Sequence, residues 1–284
     1  MVGARAPVVD FHIHLSREDQ STPWSFAEIT KFRGPEDPPY EEVLTPEGLR
    51  RLLDEEGLDF AVALAELSPV TTGMIPNEYV AELASQVPGL IPFCNINPHL
   101  TTDPASELRR LVGEFGFRGL KLHPSYQHFY PNEPRLYPLW AAAAELSLPV
   151  LVHTGSSTFR GSYMKYSDPL HLDEVARDFP ELPILMAHGG RGFWYDRAFF
   201  LAQLHENLYL EVSGLPPKRL LTYFPELEKL SHKTVFGSDW PGAPGIRKNI
   251  EDLRALPLSE GAKERILGGN AAKILKLPRE NPSS

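Results

Sequence analysis

Ten histidines lie in the 284-residue chain, and several close short apolar runs. His12 and His14 end the first such run, in Asp10-Phe11-His12-Ile13-His14. His153 ends another, in Val152-His153-Thr154-Gly155. His188 follows in Ala187-His188-Gly189-Gly190, and Asp239 closes Phe236-Gly237-Ser238-Asp239-Trp240-Pro241. Two residues apart on an extended strand, His12 and His14 point to the same side. Several imidazoles with one carboxylate suit Zn²⁺, Fe²⁺, Mn²⁺ or Co²⁺. A site that keeps one position open lowers the pKa of bound water toward ~7, which makes hydroxide available at neutral pH. A lone histidine at a strand end is ordinarily a packed, hydrogen-bonded residue. Five such placements at strand ends are hard to explain as five unrelated packing choices.

The elements that would position these groups alternate along the chain. Strands are expected at Val8–Ile13, Asp59–Ala65, Leu90–Ile96, Arg118–His123, Pro149–His153, Pro183–Ala187, Leu208–Val212 and Thr234–Phe236. Helices are expected between them. Thr45-Pro46-Glu47 starts the first and Gly57 ends it, and Asp103-Pro104 caps another that runs to Gly116. The strands are apolar on both faces, as Leu148-Pro149-Val150-Leu151-Val152 shows, which is the pattern of a parallel sheet covered on both sides. Eight units of this kind predict a single-domain (β/α)₈ TIM barrel over residues 1–284, whose strand ends meet at one mouth. The glycine fingerprint of a dinucleotide fold does not follow the first strand. Residues 16–44 form a long, proline-bearing insertion after strand one. It is expected to cover substrate through Trp24, Phe26 or Phe32, a dimer contact being the competing use.

A net charge of −9 and a pI near 5.6 argue against nucleic acid and anionic membranes as partners. A small-molecule substrate is the expected partner, and a homodimer is compatible with the insertion. One cysteine, Cys94, allows no internal disulfide and reads as core. No signal peptide is expected in Met1–Val9 and no transmembrane helix anywhere, which places the protein in the cytoplasm.

The order of these motifs resembles the amidohydrolase superfamily, in the branch that also holds aminocarboxymuconate semialdehyde decarboxylase-like enzymes. The resemblance extends to Ile266-Leu267-Gly268-Gly269-Asn270 near the C-terminus. It implies His12, His14, His153 and Asp239 as ligands to one divalent metal, most simply zinc. It implies His188 and Asp239 as the acid/base pair. In binuclear members the fourth strand supplies a carboxylated lysine. Lys121, in Gly119-Leu120-Lys121-Leu122-His123, therefore marks either a second metal site or a cation for substrate. His123, Tyr126, Arg191 and Trp240 follow strand ends and are candidate substrate contacts, with Gln127 a softer one. Hydrolysis of an amide, lactone or ester-like bond of a small, carboxylate-bearing molecule is the favoured reaction. Nonoxidative decarboxylation or hydration on the same residues is the alternative, and a metal-binding barrel without turnover is a third reading.

Overall fold

The computed structural model describes residues 6–243 and 245–277, so the first half of the Met1–Val9 reading lies outside the described residues. Eight parallel strands form one sheet in the order β1 (Val9–His14), β2 (Phe60–Leu64), β5 (Leu90–Asn95), β6 (Gly119–Leu122), β7 (Val150–Gly155), β8 (Ile184–Arg191), β9 (Leu208–Glu211) and β10 (Thr234–Val235). Two further short strands, β3 (Glu66–Ser68) and β4 (Gly73–Ile75), form a small antiparallel hairpin that follows β2. The last strand meets the first through backbone bonds from Phe11 to Phe236 (3.0 Å), His14 to Trp240 (2.8 Å) and Asp239 to His12 (3.0 Å). The barrel thus closes at the motifs that carry His12, His14 and Asp239.

Inside the barrel, Val9, Phe11, Val62, Phe93, Leu151, Leu185 and Val235 form one apolar cluster. The larger cluster lies between strands and helices, with Leu49, Leu53, Leu108, Leu111, Trp140 and Leu201 as helical contributors. Two layers buried on both strand faces explain why these strands lack polar alternation. Helix boundaries follow the capping chemistry. Thr45 Oγ1 accepts from Gly48 N ahead of the helix Pro46–Glu56, which Gly57 ends at φ 73°. Asp103 caps Pro104–Phe115 in the same way, and Gly116 ends it at φ 70°. Cys94 is buried, and burial pushes its thiol up, consistent with a packing role.

Three strands reach further than their sequences suggest: β1 to His14, β7 to Gly155 and β8 to Arg191. The hairpin was not expected, because three-residue strands carry no periodicity. It has a clear task. Thr22 N bonds Thr72 O (2.9 Å) and Ser25 Oγ bonds Thr72 O (2.6 Å), which pins the 16–44 insertion to the barrel. The insertion is ordered, with helices at Pro23–Thr30 and Tyr40–Val43. Of Trp24, Phe26 and Phe32, only Phe32 lines the central cavity. Trp24 hands its indole N–H to Thr71 O (3.1 Å), and Phe26 packs on Tyr40. Phe32 is 49% exposed. If it closes over substrate, Phe32→Ala should raise KM about five- to tenfold, the worth of half a buried ring, without lowering the melting temperature. An unchanged KM would remove it from the substrate's surroundings.

Candidate metal centre and active site

At the barrel mouth, His12 Nε2 and His14 Nε2 are 3.2 Å apart, and each is 3.4 Å from Asp239 Oδ1. Ligand atoms of His12, His188 and Asp239 also lie within 4.8 Å of one another. Three ring nitrogens and a carboxylate therefore face a common point in a cavity of about 320 Å³. The His153 ring is 4.8 Å from that of His188, and its buried Nε2 has no hydrogen-bond partner.

Acceptors behind the rings set their tautomers. His12 Nδ1 lies 2.9 Å from Ser213 Oγ and 3.2 Å from Glu211 Oε2, while the Ser213 hydroxyl donates to Glu211 Oε2 (2.8 Å). His188 Nδ1 lies 3.0 Å from the Ser213 carbonyl, which can only accept. Both imidazoles therefore carry their proton on Nδ1 and turn the Nε2 lone pair toward the cavity. This is the arrangement by which buried carboxylates and carbonyls orient metal-binding histidines.

Electrostatics keep these groups in ligand-competent states. Burial, then the Lys121 ammonium, holds His12 well below the usual imidazole range. Burial, then His188, does the same for His153. His188 falls to about 3 through burial and the Arg191 guanidinium. Burial alone would push Asp239 up, but His188, His14 and His12 outweigh it and hold the carboxyl well below its ordinary range. Burial pushes Glu211 up to about 8 and lowers Lys121 to about 8, and the Lys121 Nζ has no hydrogen-bond partner. Neutral imidazole lone pairs, an ionised carboxylate, an orphaned ring nitrogen and buried carboxylates short of positive charge together fit a divalent cation.

Local backbone is shaped to present these side chains. His188 (φ 62°) and Asp239 (φ 69°) both adopt the left-handed region that non-glycine residues avoid. Such strain concentrates where a side chain must be aimed. Asp10, buried and raised to about 7 mainly by burial, accepts from His12 N (3.1 Å) and Ser238 N (2.9 Å), so it ties the first and last strands at the ligand motifs. Gly237 is required by close approach: a Cβ there would sit 2.1 Å from Glu211 Oε1 and 2.9 Å from His12 Cβ.

The softer candidates separate into two groups. Lys121, His123, Tyr126 and Arg191 line the cavity. Tyr126 stacks on His123 (5.4 Å, 12°) and shares a hydrogen bond with Ser157 (2.9 Å). Arg191 is anchored on Ser156 O (3.0 and 3.2 Å), with Nη1 3.7 Å from Asp239 Oδ2. Trp240 departs from expectation. It is buried against Tyr40 (5.8 Å) and lines a separate cleft behind the loop, so it supports Asp239 and does not face the cavity. Gln127 is also a scaffold residue, donating to Leu67 O and Asn95 Oδ1.

Glu66, Asn95, Glu211 and Ser213 were not anticipated. Glu211 alone had a usable signal, a carboxylate ending the apolar run Leu208-Tyr209-Leu210. Loss of an orienting carboxylate typically costs 10–100-fold in metal affinity. Glu211→Gln should therefore weaken metal binding by about that factor in a chelator competition. Unchanged affinity would show that Glu211 does not hold His12.

A (β/α)₈ barrel with a candidate divalent-metal site at its mouth is thus the class that fold and donor set define. The family model described as Amidohydrolase matches residues 9–277, and the chain belongs to that family. One relative, a 2-keto-4-carboxy-3-hexenedioate hydratase from a Sphingobium strain, is 26% identical over 94% of this chain and 95% of its own length. Another, a 2-amino-3-carboxymuconate-6-semialdehyde decarboxylase from Dictyostelium discoideum, is 23% identical over 71% of this chain. That match spans 65% of the relative, just under two thirds of its length. Among solved structures, an uncharacterized TIM-barrel protein from Bordetella bronchiseptica superposes with a TM-score of 0.78 at 24% identity, over 95% of this chain and 98% of that one. No helix among the described residues is long and apolar enough to cross a membrane.

Proposed function

We propose that the protein is a metal-dependent lyase that decarboxylates or hydrates a small unsaturated carboxylate. His12, His14, His153 and Asp239 would hold one divalent ion, zinc or a similar borderline metal. When bound, that ion supplies Lewis-acid polarisation and activates water. The observation that carries the reading is the His188 tautomer. With its Nδ1 proton given to Ser213 O and burial keeping the ring neutral, His188 presents a free Nε2 base to the cavity.

His188 Nε2 accepts a proton and delivers it to substrate carbon. In hydration, that proton comes from the water whose oxygen adds to the double bond. In decarboxylation, a proton replaces the departing carboxyl group and CO₂ leaves. Asp239, ionised and beside His188 (Nδ1 to Oδ2 3.9 Å), stabilises the protonated ring. Arg191, fixed on Ser156 O with Nη1 3.7 Å from Asp239 Oδ2 at the cavity wall, is placed to pair with a substrate carboxylate. Lys121 serves as a buried cationic or amine neighbour, or as a second ligand arm if carboxylated.

Hydrolysis, favoured from the sequence, would use the same residues. The two curated relatives, one a decarboxylase and one a hydratase, shift the preference to lyase chemistry. The test is a panel of unsaturated and aromatic carboxylates, with released CO₂ and loss of conjugated absorbance followed in parallel. Turnover in either channel that stops with chelator supports the proposal. Turnover of lactones or amides alone would return the site to hydrolysis.

A further inference from the structure

The scheme above leaves one cavity imidazole, His123, without a task, although its surroundings define it closely. Asn95, at the end of β5, is fully buried and does not line the cavity. Its Oδ1 accepts from Leu67 N (2.9 Å) and Gln127 Nε2 (2.7 Å). A backbone N–H can only donate, so the amide orientation of Asn95 is decided. Its NH₂ group must then be the end that meets Lys121 O (2.8 Å) and His123 Nδ1 (3.3 Å). An amide NH₂ only donates. His123 Nδ1 is therefore the acceptor, and the proton of the neutral ring sits on Nε2.

That N–H points toward Glu66 Oε2 at 3.8 Å, too far for a hydrogen bond. Among the described residues it makes no hydrogen bond. His123 thus brings an unspent donor to the cavity wall, whereas His188 brings a lone pair. The two rings have opposite tautomers because one is backed by an NH₂ group and the other by a carbonyl. We propose that His123 Nε2–H donates a hydrogen bond to a carboxylate or carbonyl oxygen of the substrate, and that Asn95 is the positioning residue that sets this tautomer. The inference rests on the lyase reading only for the identity of the acceptor.

The test uses ring-¹⁵N histidine labelling of the metal-loaded full chain, with His123 assigned by loss of its signals in His123→Gln. Benzoate is the probe. The expected spectrum shows His123 as the Nε2–H tautomer, with its Nε2 proton shifting as benzoate is added. Asn95→Asp, which can only accept, should move the proton to Nδ1 and weaken benzoate about tenfold, the worth of one hydrogen bond. His123→Gln, which keeps an N–H at the same reach, should bind benzoate within about threefold of wild type, and His123→Leu about tenfold more weakly. An Nδ1–H tautomer in the wild type, or His123 signals that benzoate leaves unmoved, would overturn the proposal. If Asn95→Asp does not fold, the wild-type spectrum and the two His123 variants still decide. Metal content is read on the same samples. A chain without metal would sink the lyase reading while leaving the tautomer result standing.

Discussion

Asp239→Asn should give a folded protein that still binds metal measurably and turns over about 10²–10⁴-fold more slowly. The asparagine keeps the shape and one oxygen of the carboxylate, which lies 3.4 Å from both His12 and His14 Nε2. It loses the negative charge that faces His188 and Arg191 at 3.9 and 3.7 Å. General acid–base and charge-stabilising groups ordinarily contribute a factor of that size. The competing account is that Asp239 merely shapes the turn before Trp240-Pro241, where its positive φ already marks a special conformation. On that account the substitution lowers the melting temperature and spares turnover. Melting temperature, metal content and turnover measured on one preparation separate the two.

The second large effect is expected at the paired histidines. His12→Ala or His14→Ala should weaken metal binding by more than the ~100-fold upper range for an orienting residue, because a ligand itself is removed. His188→Ala should cost much less metal but abolish most turnover, since its role is assigned to the proton. Parallel losses of metal in all three variants would instead make His188 a ligand, an outcome that its place in the same 4.8 Å cluster keeps testable. Removing the metal from wild type with chelator should stop turnover, and adding it back should restore the activity.

Most of the candidate site was legible because barrel topology converts strand ends into neighbours. His12, His14, His153, His188 and Asp239 could be placed in one layer from their positions after apolar runs. The closure that joins His12 to Asp239 by a backbone bond of 3.0 Å follows from that same topology. What was hidden is the layer behind. Glu66 sits on a three-residue strand with no pattern of its own, and Asn95 looks like any polar residue ending a buried strand. Their meaning comes from who faces them across the barrel, which sequence spacing does not encode. Trp240 misled for a related reason. Next to Asp239 in sequence, it points to the opposite side of the loop and packs on Tyr40 from the insertion. The insertion was visible as a long loop, but its helices and its attachment to the β3–β4 hairpin depend on a partner element too short to detect.

Elemental analysis of wild type and His12→Ala after loading and desalting decides whether the first and last strands hold a divalent ion at the mouth. About one equivalent of a divalent transition metal is expected in the wild type, two if Lys121 is carboxylated, and a small fraction of that in the variant. A wild type that retains no metal, or a variant that retains as much as the wild type, would contradict this expectation.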